Sequence, residues 1–245
     1  GAAPGARRER IRPAGEGTGM ITVALSKGKL LEPAIALFKK AGYAAKSVSA
    51  ESRRLIIECP EQDVTFMIIR PSDVPTYVEY GAADVGVVGK DMLLEQNLDV
   101  YEPMDLKFGA CRLAVAAKKG RAVRERLSAK LRVATKYPNV TERFYNQKGI
   151  PVEVIKLYGS IELAPVVDLA DRIVDLVSTG RTLAAHDLEE VEVIAESTAR
   201  LIVNRASLKM KHGEIAELMA RLNGRRAGRR AVARRVQRAK TRSRR

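Results

Sequence analysis

The sequence predicts an α/β fold: two lobes with largely parallel sheets around a cleft. Three observations predict it. Short apolar, β-branched runs alternate with segments whose apolar side chains recur every three or four residues. The alternation breaks near residues 105–110 and again near 190, which divides the body into two groups of elements. Several predicted strands also end in turns rich in Lys, Arg and hydroxyl residues, the positions at which open α/β sheets receive ligands.

The elements follow in order. Residues 21–25 form a strand that ends in Ser26-Lys27-Gly28-Lys29. A helix follows, with Leu30, Leu31, Ala34, Ile35, Leu37, Phe38 and Ala41 on one broad face. Gly42 closes it, where a left-handed cap costs least. Strands near 54–58 and 64–69 precede Arg70-Pro71-Ser72-Asp73, which opens a short helix with Pro early and Asp in its first turn. Residues 83–88 form an apolar strand closed by Gly89. The second group has strands at 112–117, 131–134, 152–156 and 173–177. A helix runs from Pro138 to Gly149, at least one helical turn lies within 159–170, and another helix starts at Arg181. Residues 191–203 read as one long strand and 207–222 as one amphipathic helix. This gives lobe I as 20–108 plus 191–222 and lobe II as 109–190, with the last strand and helix crossing back.

The chain has 245 residues, 46% hydrophobic and 30% charged, the balance of a globular protein. No apolar run approaches the roughly 20 residues that span a bilayer. No secretory signal is visible, and Cys59 and Cys111 make no disulfide framework, so a cytoplasmic location is expected. The net charge is +15, yet residues 224–245 carry eleven Lys/Arg and no acid, and residues 20–223 carry 29 basic and 27 acidic residues. The basicity belongs to the tails. Residues 1–19 and 223–245 are expected to be disordered, because they hold too few large apolar groups to offset chain entropy.

The strongest chemical signal is the run from Asp171 to Leu183. An apolar strand carrying Asp175 ends in Ser178-Thr179-Gly180 and enters a helix at Arg181-Thr182. Such a turn can aim backbone N–H groups at a phosphate, and Ser178, Thr179 and Thr182 can add hydroxyl donors. Gly180 permits close approach of the backbone. Asp171 and Asp175 could accept from sugar hydroxyls beside that phosphate. An ordinary capped helix would show a similar turn. Lys27, Gly28 and Lys29 could hold a polyphosphate or be a solvated cap. Arg70 and Asp73 sit in a loop stiffened by proline, and Arg is suited to bidentate phosphate contact. Ala134-Thr135-Lys136-Tyr137-Pro138 lies at another strand end, where Tyr137 could stack on a base. Several such turns in one chain favour a ligand with several phosphates. His186 and His212 lack metal-ligand spacing with Cys or carboxylates, so no protein metal site is expected.

Taken together, Lys27-Gly28-Lys29-Leu30, Arg70-Pro71-Ser72-Asp73-Val74-Pro75, Gly81-Ala82-Ala83-Asp84-Val85-Gly86, Ala134-Thr135-Lys136-Tyr137-Pro138, Gly159-Ser160-Ile161-Glu162 and the run from Ala170 to Leu183 resemble the ATP phosphoribosyltransferase family. The resemblance covers about residues 20–222. Asp168 and His186 depart from it, standing where the family usually has Gly and Asn. The resemblance implies a type II periplasmic-binding-protein-like fold. It implies the first step of histidine biosynthesis, from ATP and phosphoribosyl pyrophosphate, with Mg²⁺ carried by the substrates. It implies the short form, working with a regulatory subunit that resembles histidyl-tRNA synthetase in a hetero-oligomer, with no specific nucleic acid and no membrane. In that frame Asp171, Asp175 and Lys27 are the catalytic candidates. Ser178, Thr179, Gly180, Arg181 and Thr182 bind the ribose 5-phosphate. Lys27, Gly28, Lys29, Arg70, Asp73, Lys136, Tyr137 and Glu162 face ATP or pyrophosphate. A two-lobed solute-binding protein, which binds without turnover, is the alternative. A nucleic-acid binder driven by the basic tail is a third, and loss of residues 224–245 would abolish nucleic-acid affinity and spare catalysis.

Overall fold

A computed structural model describes residues 20–43, 54–120 and 130–224. The expected disorder of residues 1–19 and of the tail beyond Gly224 lies outside these residues. Two sheets organise the chain. The first has strand order β2-β3-β1-β4-β11-β5, and the second β10-β6-β9-β7-β8. The strands of the first are β1 (Ile21–Ser26), β2 (Ile56–Cys59), β3 (Val64–Ile69), β4 (Val85–Gly89), β5 (Tyr101–Asp105) and β11 (Ala199–Val203). Those of the second are β6 (Cys111–Lys118), β7 (Leu131–Thr135), β8 (Val152–Lys156), β9 (Arg172–Val177) and β10 (Leu188–Ser197).

Both faces of the first sheet are covered. The helices α1 (Leu31–Lys40) and α8 (His212–Leu222) cover one. Leu31, Ala34, Ile35 and Phe38 of α1 pack there with Ile215, Leu218 and Leu222 of α8 over Val23, Phe66, Val85 and Leu201. Phe38 meets Phe66 edge to face with centroids 5.4 Å apart, a favoured aromatic geometry. The opposite face carries α2 (Val74–Glu79) and α3 (Lys90–Gln96). Gly86 of β4 lets α2 approach closely, since a Cβ there would lie 2.8 Å from Val74 and from Val78. This second layer continues into the other lobe. Val74, Val78 and Met92 share one cluster with Leu113, Val133, Val140, Tyr145 and Val174. The two lobes are therefore joined through a common apolar layer. The far side of the second sheet packs against α5 (Leu163–Val166) and α6 (Arg181–Ala185) through Ile161, Ala164, Ile173, Val177 and Leu183.

The α/β class and the two lobes are as expected, but the sheets are mixed. Of nine strand pairs among the described residues, β1–β3, β1–β4, β7–β8 and β7–β9 are parallel and the other five antiparallel. One cause is local. The turn at Pro60–Gln62, with Asp63 in the left-handed region, is too short for a crossover, so β2 and β3 form a hairpin. The others are the chain's two passages between lobes. The run read as one strand over 191–203 is two strands, with β10 pairing β6 and β11 pairing β4 and β5. The return to the first sheet thus comes at Thr198, not near 190. The predicted helix 207–222 is likewise two, α7 (Arg205–Met210) and α8, parted at Lys211. The ammonium group of Lys211 there reaches Asp84 Oδ2 at 2.8 Å and the Met20 carbonyl at 2.9 Å. The helix after Arg70 starts later than read: Asp73 stands at its N-cap, makes no side-chain cap bond, and Pro75 is the early proline. The sequence reading did not include α3 and β5.

Candidate active site

The site is built from strand ends. In lobe I, β1 and β3 run parallel with Ser26 opposite Ile69, so Lys27 and Arg70 leave the sheet side by side. Buried Ser26 donates its hydroxyl to the Val87 carbonyl at 2.7 Å, and Lys27 N–H donates to the Ile69 carbonyl at 2.7 Å. These bonds fix the root of the loop and leave Lys27, Gly28 and Lys29 exposed. Gly28 has φ +99°, which favours glycine. Arg70 is exposed, and half-buried Asp73 accepts the Ser72 hydroxyl at 2.8 Å.

In lobe II, β9 leads into Ser178, Thr179 and Gly180 and then α6. Gly180 sits at φ +74°, ψ −2° and caps α6 with no side chain of its own, so the N-cap residue leaves the helix's first N–H groups uncovered. Ser178, Thr179, Arg181 and Thr182 are exposed around it. Arg112 of β6 holds the loop from behind. Its Nε is 2.7 Å from Glu190 Oε2, and its Nη1 reaches the Ser178 carbonyl at 3.5 Å. Sequence reasoning missed Arg112, because only strand pairing brings β6 and β10 together behind that loop.

Asp175 is half-buried on β9, and its Oδ1 accepts from Leu176 N–H at 2.8 Å. Burial pushes its carboxyl above the usual range, Glu162 adds to the effect, and Lys136 opposes it. Asp175, Glu162 and Lys136 are therefore electrostatic neighbours. Glu162 is half-buried just before α5, and Lys136 is exposed just after β7. Asp175→Asn removes a charge that burial disfavours. Relative to the wild type, this variant should gain thermal stability at pH 7. The gap should close as the pH falls through the raised carboxyl pKa, while transferase activity drops. Melting curves across pH beside rate measurements check this.

Two expectations are corrected. Asp171 is not at the site. It lies before β9, where its Oδ2 accepts from Arg132 N–H at 3.0 Å and sits 3.7 Å from Arg132 Nε. Four residues of strand rise place it about 13 Å from Asp175. It stands at the end of β9 away from the Ser178-Thr179-Gly180 turn. Tyr137 cannot stack on a base in this conformation. Its ring is 2% exposed, and its hydroxyl donates to Asp91 Oδ2 at 2.9 Å. Burial and the facing Asp91 carboxylate push its phenol well above the usual range. Cys59 is buried in the core, whereas Cys111 is half-buried at the start of β6, near Asp91 and Lys29. Asp168 holds φ +56°, a conformation glycine adopts more readily, and His186 follows α6 as its C-cap.

Among the described residues no three His, Cys, Asp or Glu cluster as metal ligands, and no helix is long and apolar enough to cross a membrane. The arrangement suits a phosphorylated sugar on lobe II and a second, anionic ligand on the basic loops of lobe I.

Comparison with known proteins places the chain in a family. The model of the HisG family, ATP phosphoribosyltransferase, matches residues 70–224. An ATP phosphoribosyltransferase 2 of Geobacter sulfurreducens is 56% identical over 207 residues, covering 84% of this chain and 98% of that protein. An ATP phosphoribosyltransferase of Geobacter metallireducens is 57% identical over 204 residues, 82% of this chain and 96% of its own length. Among solved structures, a chain of the ATP phosphoribosyl transferase (HisG:HisZ) complex from Thermotoga maritima superposes with a TM-score of 0.75 at 35% identity, covering 84% of this chain and 97% of that one. The chain belongs to the ATP phosphoribosyltransferase family.

Proposed function

We propose that the strand-end loops divide the two substrates of the family's reaction between the lobes. The reaction transfers a phosphoribosyl group from phosphoribosyl pyrophosphate to N1 of ATP and releases pyrophosphate, the first step of histidine biosynthesis. The bond from the anomeric carbon to pyrophosphate breaks as the bond to N1 forms. No covalent nucleophile on the protein is required, so catalysis is alignment and charge stabilisation.

The observation that carries the assignment is half-buried Asp175 standing directly before the open Ser178-Thr179-Gly180 turn, with Lys136 at the neighbouring strand end. The backbone N–H groups of that turn and the hydroxyls of Ser178, Thr179 and Thr182 hold the ribose 5-phosphate. Arg181 adds positive charge. Asp175 accepts from ribose hydroxyls and stabilises the positive charge that develops on the ring. Lys27 and Lys29 take the pyrophosphate or the ATP phosphates, and Arg70, Asp73, Lys136 and Glu162 line the ATP side. Asp175 is the carboxylate on the sugar side, and Mg²⁺ would arrive with the pyrophosphate rather than in a site built by the protein. Its contribution there is to neutralise the leaving group. A regulatory subunit resembling histidyl-tRNA synthetase completes the enzyme as a hetero-oligomer, and the Thermotoga neighbour is itself part of a HisG:HisZ complex. The setting is the cytoplasm.

The direct test mixes ATP and phosphoribosyl pyrophosphate with the full chain, with and without that subunit, and follows the ultraviolet absorbance of the N1-substituted product. Absorbance growth that needs both substrates is the expected result. Binding of the sugar without turnover under either condition would move the chain to the solute-binding class.

A further inference from the structure

Helix α3 buries two carboxylates on one face. Asp91 is 7% exposed and Glu95, four residues on, is 8% exposed. Both belong to lobe I, and both bond to lobe II. Glu95 Oε1 accepts from Asn139 N–H at 3.1 Å and its Oε2 from Val140 N–H at 3.0 Å. Asn139 Nδ2 returns a bond to the Glu95 carbonyl at 3.1 Å. These N–H groups belong to the first turn of α4 (Pro138–Gln147), whose N-cap Tyr137 makes no side-chain cap bond. Helix α4 is thus capped by the opposite lobe, and the helix dipole favours an acid there. Asp91 Oδ2 accepts the Tyr137 hydroxyl at 2.9 Å, and its Oδ1 accepts the Ser197 hydroxyl at 2.8 Å.

The gripped segment is itself stiff. Thr135 Oγ1 donates to the Val174 carbonyl at 2.7 Å and accepts from Tyr137 N–H at 2.9 Å. Thr141 Oγ1 donates to the Tyr137 carbonyl at 2.7 Å. Lys136 is an exposed residue of this segment, just after β7. Gly89 points the same way. Its φ of −71° and ψ of 146° suit any residue, yet a Cβ there would lie 2.1 Å from Asp91 Oδ1. Glycine at 89 makes room for the carboxylate and serves no backbone need.

Apolar side chains would hold such an interface at least as firmly, because burying carboxylates costs desolvation. Carboxylates add direction. We propose that Asp91 and Glu95 are positioning residues that fix the angle between the lobes by gripping the segment 135–140, and so set Lys136 and Asp175 against the basic loops of lobe I. The catalytic part of this proposal rests on the reaction proposed above; the lobe angle does not.

The test compares Glu95→Ala, Glu95→Gln and Gly89→Ala with the wild-type full chain. Small-angle scattering without substrate, at concentrations where the mass stays constant, reads the lobe angle. Steady-state kinetics reads the consequence. Glu95→Ala and Gly89→Ala should enlarge the radius of gyration and lower kcat about tenfold or more, the scale of a misplaced reacting group. The KM for phosphoribosyl pyrophosphate should stay within about threefold, because its phosphate is held inside lobe II. Glu95→Gln keeps an acceptor and should recover most of kcat. Unchanged scattering overturns the clamp, and so does a lowered melting point with kcat intact in the folded fraction. A wild type without transferase activity even with the regulatory subunit present would sink the proposed reaction instead, and scattering alone would then decide the lobe angle.

Discussion

Gly180→Val should lower kcat/KM for phosphoribosyl pyrophosphate by about a hundredfold or more, mostly through KM, and leave the fold intact. No heavy atom lies within 4 Å of the Cβ position at Gly180, so the added side chain meets nothing. The effect comes from the backbone. At φ +74° a β-branched residue carries strain of about 1–3 kcal/mol. The turn is exposed and can shed that strain by rotating its peptides. Rotation takes the N–H groups of the turn off their common point. A hydrogen bond to a charged group contributes about 1.5–3 kcal/mol, so losing two of them gives at least the stated factor. The thermal midpoint should fall by no more than about 4 °C, since the strain is released in solvent. Steady-state kinetics against each substrate checks the claim. A wild-type constant for phosphoribosyl pyrophosphate would remove the phosphate assignment, and an equal loss against ATP would place the turn elsewhere in the cleft.

That loop was legible because every element of it is local. A strand, a glycine turn and a helix start lie within about a dozen residues, and the strand's apolar run fixes its position. The bounds of β3 and β8 match the sequence reading for the same reason, each being a short β-branched run between turn signals. Asp171 shows where local reading stops. Spacing along a strand says nothing about which end of the sheet holds the ligand. Tyr137 shows a second limit, since an aromatic at a strand end reads as a ligand platform until Asp91, forty-six residues away in sequence, claims its hydroxyl. Helix α3 escaped because Asp91 and Glu95 occupy its buried face, which breaks the apolar period that marks a helix. The breaks at Thr198 and Lys211 escaped because neither falls on Gly or Pro. Each is set by a partner distant in sequence: Thr198 where β11 leaves β10 for the other sheet, and Lys211 where Asp84 draws its ammonium.

Asp84→Ala should cost about 3–5 kcal/mol of stability, the largest loss expected from a single side chain here, and leave the substrate constants alone. Asp84 is 2% exposed at the entry to β4. Its Oδ2 accepts from Thr22 N–H and from Lys211 Nζ, both at 2.8 Å, and its Oδ1 accepts the Ser207 hydroxyl at 2.6 Å. One carboxylate therefore ties β1, β4, α7 and the junction of α7 with α8. Truncation strands three donors. The ammonium of Lys211 has a partly exposed side chain and can turn to water, but the Thr22 N–H and the buried Ser207 hydroxyl have no such escape. At about 2–4 °C per kcal/mol for a chain of this size, the midpoint should drop by about 6–20 °C. Ser207→Ala added to Asp84→Ala should restore part of the loss, because it removes the buried hydroxyl left without its partner. Asp84 stands at the opposite end of β4 from Gly89, about 17 Å from the cleft. Folded Asp84→Ala should accordingly show a wild-type KM for phosphoribosyl pyrophosphate, and a raised KM would mean that the brace reaches the site. The Gly81–Gly86 motif carries part of the family resemblance, so a stable-site, unstable-fold result would place that motif with folding and leave the chemistry to the loops after β1, β3, β7 and β9.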